Sequence, residues 1–99
     1  MFVRLFFSAV DPTDSDEVRR IFVEDVKPAF EQLGCRAIEL LVNVEPNAGG
    51  LVEGVVTSRW ENRDEMEKAL RSRTVAESLV RVRQLLRLEP LARTFEVLE

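Results

Sequence analysis

Apolar and polar positions change period several times along this chain, and each change marks an element. Phe2 to Val10 is almost continuously apolar, with β-branched and aromatic residues, which predicts a first strand. Asp11-Pro12-Thr13-Asp14 is a turn and cap cluster, and Thr13 with Asp16, or Asp14 with Glu17, supplies a capping pair. Val18, Ile21, Phe22, Val26, Ala29, Phe30 and Leu33 then recur on one helical stripe. Pro28 falls inside that helix, so a kink is expected toward its last turn, and Gly34 is suited to end it. From Cys35 to Glu45 the period drops to two: Ile38, Leu40, Val42 and Val44 alternate with Ala37, Glu39, Leu41 and Asn43. Pro46 to Gly50 is a turn, and Leu51 to Trp60 is a third strand, so strands two and three form an antiparallel hairpin. Asn62 to Arg71 is a helix with Met66, Ala69 and Leu70 inward, and Asn62 with Glu65 reads as a capping box. Thr74 with Glu77 marks the cap of a helix from Val75 to Leu88 that buries Leu79, Val82, Leu85 and Leu86. Pro90 ends it, and Leu91 to Leu98 is the last strand.

The order is β-α-β-β-α-β, with the second helix in two pieces. It predicts one ferredoxin-like α+β domain over residues 1–99: a four-stranded antiparallel sheet with the helices on one face. Val52, Gly54, Val56, Ser58 and Trp60 share one side of strand three, and Val3, Leu5 and Phe7 share one side of strand one. Both sets are assigned to the helix-packed side. The other side then carries Arg4, Phe6, Glu39, Leu41, Asn43, Glu53, Val55, Thr57 and Arg59, a mixture too apolar for a bare surface. A sheet-on-sheet homodimer would cover it, with Arg4, Glu39, Glu53 and Arg59 as an interfacial ion-pair network, a simpler role for these charges than binding an acidic substrate.

Composition narrows the chemistry. The chain is 45% apolar and 32% charged, as a globular protein is, and its net charge of −4 opposes nucleic-acid binding. Cys35 is the single cysteine, which fits a reducing cytoplasm. The apolar start is too short for a membrane span and lacks the features of a signal peptide. With no histidine, a histidine-ligated haem, a histidine-containing zinc site and a Ser-His-Asp triad are all excluded. Gly49-Gly50 lies in a hairpin without the lysine and helix of a phosphate loop. The phenylalanines read first as core, with some lining any cleft that exists.

The strand that ends on Trp60 and turns at once into a capped helix places a large indole beside a helix N-terminus, as the wall of a cleft. In order and spacing, Val26-Lys27-Pro28-Ala29, Gly34-Cys35, Ser58-Arg59-Trp60-Glu61 and Thr94-Phe95-Glu96-Val97 resemble the antibiotic biosynthesis monooxygenase-like domains of the dimeric α+β barrel superfamily. The resemblance covers nearly the whole chain. It implies a homodimer whose two sheets form a barrel, and a ligand cleft in each subunit between sheet and helices. Some members of that family oxidise polycyclic phenols without metal or bound cofactor, and others degrade haem through a helix histidine that this chain lacks. The family's tryptophan corresponds to Trp60. Asn43 and Asn62 are the counterparts available for an asparagine near the substrate, and Asn62 is better explained as a cap. The expected function is a cofactor-independent monooxygenase-like activity on a small aromatic or polyketide-like substrate. Trp60 would shape the pocket, Phe7 would line it, and Ser58 would orient a substrate oxygen, with Asn43 a further ligand-binding candidate. The alternative is a non-catalytic dimeric barrel that binds a small ligand or fills its cleft with its own side chains.

Overall fold

The unbroken apolar run at the start of the chain becomes an inner strand. In the computed structural model, which describes residues 1–98, β1 (Phe2–Val10) lies between β3 (Val52–Trp60) and β4 (Leu91–Glu96), and β2 (Ala37–Val42) pairs with the far edge of β3. The order β2-β3-β1-β4 with every pair antiparallel is the ferredoxin-like sheet. The helices α1 (Ser15–Ile21), α2 (Lys27–Gln32), α3 (Arg63–Arg71) and α4 (Arg73–Arg83) follow in the expected places. The core is a cluster that includes Ile21, Phe30, Ile38, Trp60, Met66 and Val75, drawn from both helical segments and the sheet. No helix among the described residues is long and apolar enough to cross a membrane.

Pro28 is preceded by a change of helix type. Between α1 and α2 the chain passes through a π-helical turn, Phe22–Val26, closed by the Lys27 N–H reaching back to the Phe22 carbonyl. Proline has no N–H to donate, and its ring crowds the carbonyl four residues earlier. Widening the helix just ahead of it relieves that crowding. The helix ends on Gly34, whose φ of +107° suits glycine.

Two caps differ from expectation. Asn62 Oδ1 accepts the Glu65 N–H at 2.9 Å, but no return bond forms. Glu65 Oε2 is buried without a partner among the described residues, against Gly34. The α4 cap is Ser72, whose Oγ accepts the Val75 N–H at 3.3 Å, whereas Glu77 pairs with Arg73 on the surface. Serine two residues before Thr74 is the earlier capping residue, so α4 begins sooner; it also stops sooner, at Arg83.

The face assignment of β1 needs correcting. Phe6 stands opposite Val56, Arg4 opposite Ser58 and Ser8 opposite Gly54, so the even-numbered residues of β1 share the helix side with the even-numbered residues of β3. Phe6 is buried, while Val3, Leu5 and Phe7 share the open face with Val55, Thr57 and Arg59. A one-residue change of face moves every side chain of a strand, and the run Phe2–Phe7 has too little alternation to choose between the two. The assignments in β2 and β3 agree with the register, with Glu39, Leu41 and Asn43 on the open face and Ile38 and Leu40 against the helices.

Gly34 gives the first test. A methyl group there would meet Glu65 Oε2 at 3.2 Å on a backbone that L-residues avoid. Gly34→Ala is expected to lower the unfolding free energy by about 1–3 kcal/mol in urea denaturation.

Candidate functional site

A cleft opens between the sheet and the helices. Its floor is Phe6, Ser8, Leu40 and Val56; its walls are Val18, Phe22, Val26 and Phe30 on one side and Leu79 and Val82 of α4 on the other. The enclosed space is about 40 Å³, and the rest of the cleft is a mouth open to solvent. That is well below the roughly 300–1,000 Å³ of a ligand pocket, so a ligand would lie largely in the mouth. A shallower groove continues from it past Ser8, Val18 and Leu40 to Ser15, Arg19 and Gly54. Glycine at 54 keeps this extension open, since a Cβ there would touch Ser8 Oγ and Leu40 at 3.6 Å.

The helical wall depends on the π turn, which supplies both Phe22 and Val26 to the cleft. π turns recur at functional sites because they re-aim side chains within a continuous helix. Arg81 of α4 holds this wall in place: its Nη2 donates to Asp25 Oδ2 at 2.9 Å and to Ser78 Oγ at 3.3 Å. The pair is partly exposed, so its main effect is orientation rather than stability.

One charged group enters the cleft. Arg4 is half-buried on its floor, with its guanidinium carbon 5.4 Å from the Phe6 ring centroid. Among the described residues no carboxylate pairs with it, in contrast to Arg20, Arg36, Arg63, Arg73, Arg81 and Arg87. Burial, and then the charge of Arg83, hold its pKa below the ordinary arginine value. The placement of Arg4 on the open, interfacial face is therefore corrected: its register with Ser58 puts it on the helix side.

The other expected site residues fall in three places. Trp60 is 0% exposed and lies behind the cleft rather than in it, its ring 5.7 Å from that of Phe30. Its indole Nε1–H donates to Ser58 Oγ at 3.0 Å in a buried pair, so Ser58 serves the tryptophan. Phe7 sits on the open face, 37% exposed. Asn43 is also there, and its side chain is engaged locally: Nδ2 donates to Glu53 Oε1 at 3.1 Å, and Oδ1 accepts the Glu45 N–H at 3.0 Å. Glu39, Glu53 and Arg59 line this same open face. Cys35 is buried, its thiol donates to the Ala37 carbonyl at 3.1 Å, and burial pushes its pKa up. That is the environment of a structural thiol.

Sequence reasoning missed Arg4 as a cleft residue and did not single out which phenylalanines line the cleft; Phe6, Phe22 and Phe30 do. The signal available was Arg4 itself, the one charge in an otherwise apolar strand.

The fold and its cleft define a small α+β protein of the ferredoxin-like type. Residues 1–79 match the family described as antibiotic biosynthesis monooxygenase, and the chain belongs to that family. The crystal structure of an antibiotic biosynthesis monooxygenase is similar, with a TM-score of 0.81 at 15% identity over 100% of both chains. A candidate antibiotic biosynthesis monooxygenase from Nitrosomonas europaea gives 0.82 at 9% identity over 100% of both chains. Another from Deinococcus radiodurans gives 0.80 at 14% identity, over 100% of this chain and 94% of that one. At such identities the likeness concerns the fold. No curated protein matches the chain.

The buried pair gives the second test. Ser58→Ala strands the Trp60 N–H in the core and is expected to lower stability by about 1–3 kcal/mol in urea denaturation. Ser8→Ala, at a half-buried position in the cleft, should change it by less than about 0.5 kcal/mol.

Proposed function

We propose that this chain is a cofactor-independent, monooxygenase-like protein that takes a small aromatic or polyketide-like substrate into the cleft between sheet and helices. The observation that carries this reading is the cleft: an apolar slot floored by Phe6 and walled by Phe22 and Phe30, in a chain of this family. Flat aromatic rings suit such walls, which offer edge and face contacts. The cleft supplies no carboxylate or thiol, so the chemistry would rest on an electron-rich substrate reacting with dioxygen. A tricyclic phenol with a benzylic CH₂ would lose two hydrogens there and gain one oxygen atom as a carbonyl. The second oxygen atom would leave as water, with dioxygen the only oxidant. The protein would bind, orient and desolvate.

The packing of Trp60 favours a second reading, in which the cleft binds a small ligand without turnover, because a residue expected to shape the pocket contributes only from behind Phe30. Oxygen uptake with 1,8-dihydroxyanthrone separates the two. The monooxygenase reading expects uptake above the buffer rate, reduced at least about tenfold by Leu79→Trp, which fills the cleft, in a variant that keeps its thermal midpoint. Uptake equal to buffer across a panel of tricyclic phenols would leave the ligand-binding reading.

The working unit we propose is a homodimer formed through the open face. Leu41, Leu91 and Phe95 are 51%, 45% and 53% exposed there, beside Val3, Leu5, Phe7 and Val55. A contiguous apolar patch of this kind is unusual on a monomer. Glu39, Arg59 and Arg93 form no ion pair within the described residues and would be free to pair across the interface. Light scattering at micromolar concentration should give a dimer, and Val55→Lys should shift it to monomer; a monomeric wild type would sink the proposal. The unbridged Cys35 suits a reducing, cytoplasmic setting.

A further inference from the structure

We infer that the cleft is built for a small organic acid, whose carboxylate is held by Arg4 while its ring or chain lies against Phe6, Phe22 and Phe30. This deepens the reading of the cleft as a ligand site and rests on it.

Three observations converge. The first is the isolation of Arg4. It lies on the floor of an apolar slot, and no acidic side chain among the described residues pairs with it. Taking a guanidinium partly out of water without a partner is unfavourable. The second is a like charge: Arg83 raises the positive potential at Arg4, where a structural arginine would be given an acid. The chain has acids to spare, with 18 against 14 basic residues, and places them elsewhere. The third is the contact with Phe6. The guanidinium carbon lies over the ring, 5.4 Å from its centroid, and an aromatic face attracts the cation without accepting its N–H bonds in full, which leaves the donor fork for an anion. A carboxylate accepts two parallel bonds from that fork.

The size of the slot limits how deeply the acid enters. About 40 Å³ is enclosed, so the carboxylate end reaches Arg4 on the floor while the ring lies in the open mouth against the phenylalanine walls. A flat aromatic carboxylate satisfies both the guanidinium and the phenylalanine walls.

Titration calorimetry with 2-naphthoate and with 2-naphthamide at one ionic strength tests this, since the two probes share shape and differ in charge. Wild type should bind naphthoate at least about tenfold more tightly than naphthamide, as expected for a charge-assisted bond. Arg4→Met should abolish that preference and leave naphthamide binding within about twofold, and Arg4→Lys should retain part of it. Without ligand, Arg4→Met should raise the thermal midpoint by roughly 4 °C, because it removes an unpaired charge beside Arg83. A lower midpoint would make Arg4 a structural residue and overturn the inference. Equal binding of the two probes to wild type would also overturn it, with the cleft still a ligand site. A preference that survives Arg4→Met would assign the acid to another group, and failure of both probes to bind would remove the ligand-site reading together with the inference.

Discussion

The pairing of β1 with β3 is the constraint on which the rest of the molecule depends. With Phe6 opposite Val56, every even-numbered residue of β1 faces the helices and every odd-numbered one faces away. That single register decides that Arg4 and Phe6 form the cleft floor. It also decides that Val3, Leu5 and Phe7 form the centre of the open face. A slip by one residue would exchange the two sets and put Phe7 in the cleft. Because β1 also pairs with β4, the same choice places Leu91, Arg93 and Phe95 on the open face and Thr94 beside Arg4 on the other. Cleft and open face are therefore two consequences of one set of backbone bonds.

The helical layer turns this floor into a slot. A regular helix from Ser15 to Gln32 would conflict with Pro28, and the π turn at Phe22–Val26 resolves the conflict where the cleft needs two large side chains. The Asp25–Arg81 bond then ties the turn to α4, so both walls are oriented relative to each other. Trp60 stands behind this arrangement. It supports Phe30, and Ser58 satisfies its one polar atom.

Much of the architecture was legible in the pattern of residues. The strand order, the hairpin between β2 and β3, and the inward stripes of the helices, apart from Leu33, which is exposed, follow from period and turn chemistry. These signals are local, and local rules carry them. The side of β1 was not legible, because Phe2-Val3-Arg4-Leu5-Phe6-Phe7 has apolar residues on both faces; an inner strand with a cleft on one side and a bare apolar sheet on the other reads that way. From that one ambiguity came the exchange of Phe7 for Phe6 and the placing of Arg4 at an interface. Trp60 was located correctly at the strand end, but whether an indole borders a cavity or fills the core depends on Phe30, thirty positions away, and on a hydroxyl two residues before it.

The corrected register changes what kind of site this is. With the Trp60 N–H bonded to Ser58 and both side chains buried behind the cleft, neither is placed to offer a polar group to a ligand. The polar character of the cleft falls to Arg4 and the Ser8 hydroxyl, both even-numbered residues of the same strand. A slot of phenylalanines alone would bind by area and discriminate weakly, since apolar contact is indifferent to orientation. One guanidinium at its floor gives direction, because a partner must bring its negative end to that point to recover what the arginine lost on leaving water. Specificity in this fold is thus set where β1 inserts a charge into an apolar run, and the neighbouring strands and helices supply the shape around it.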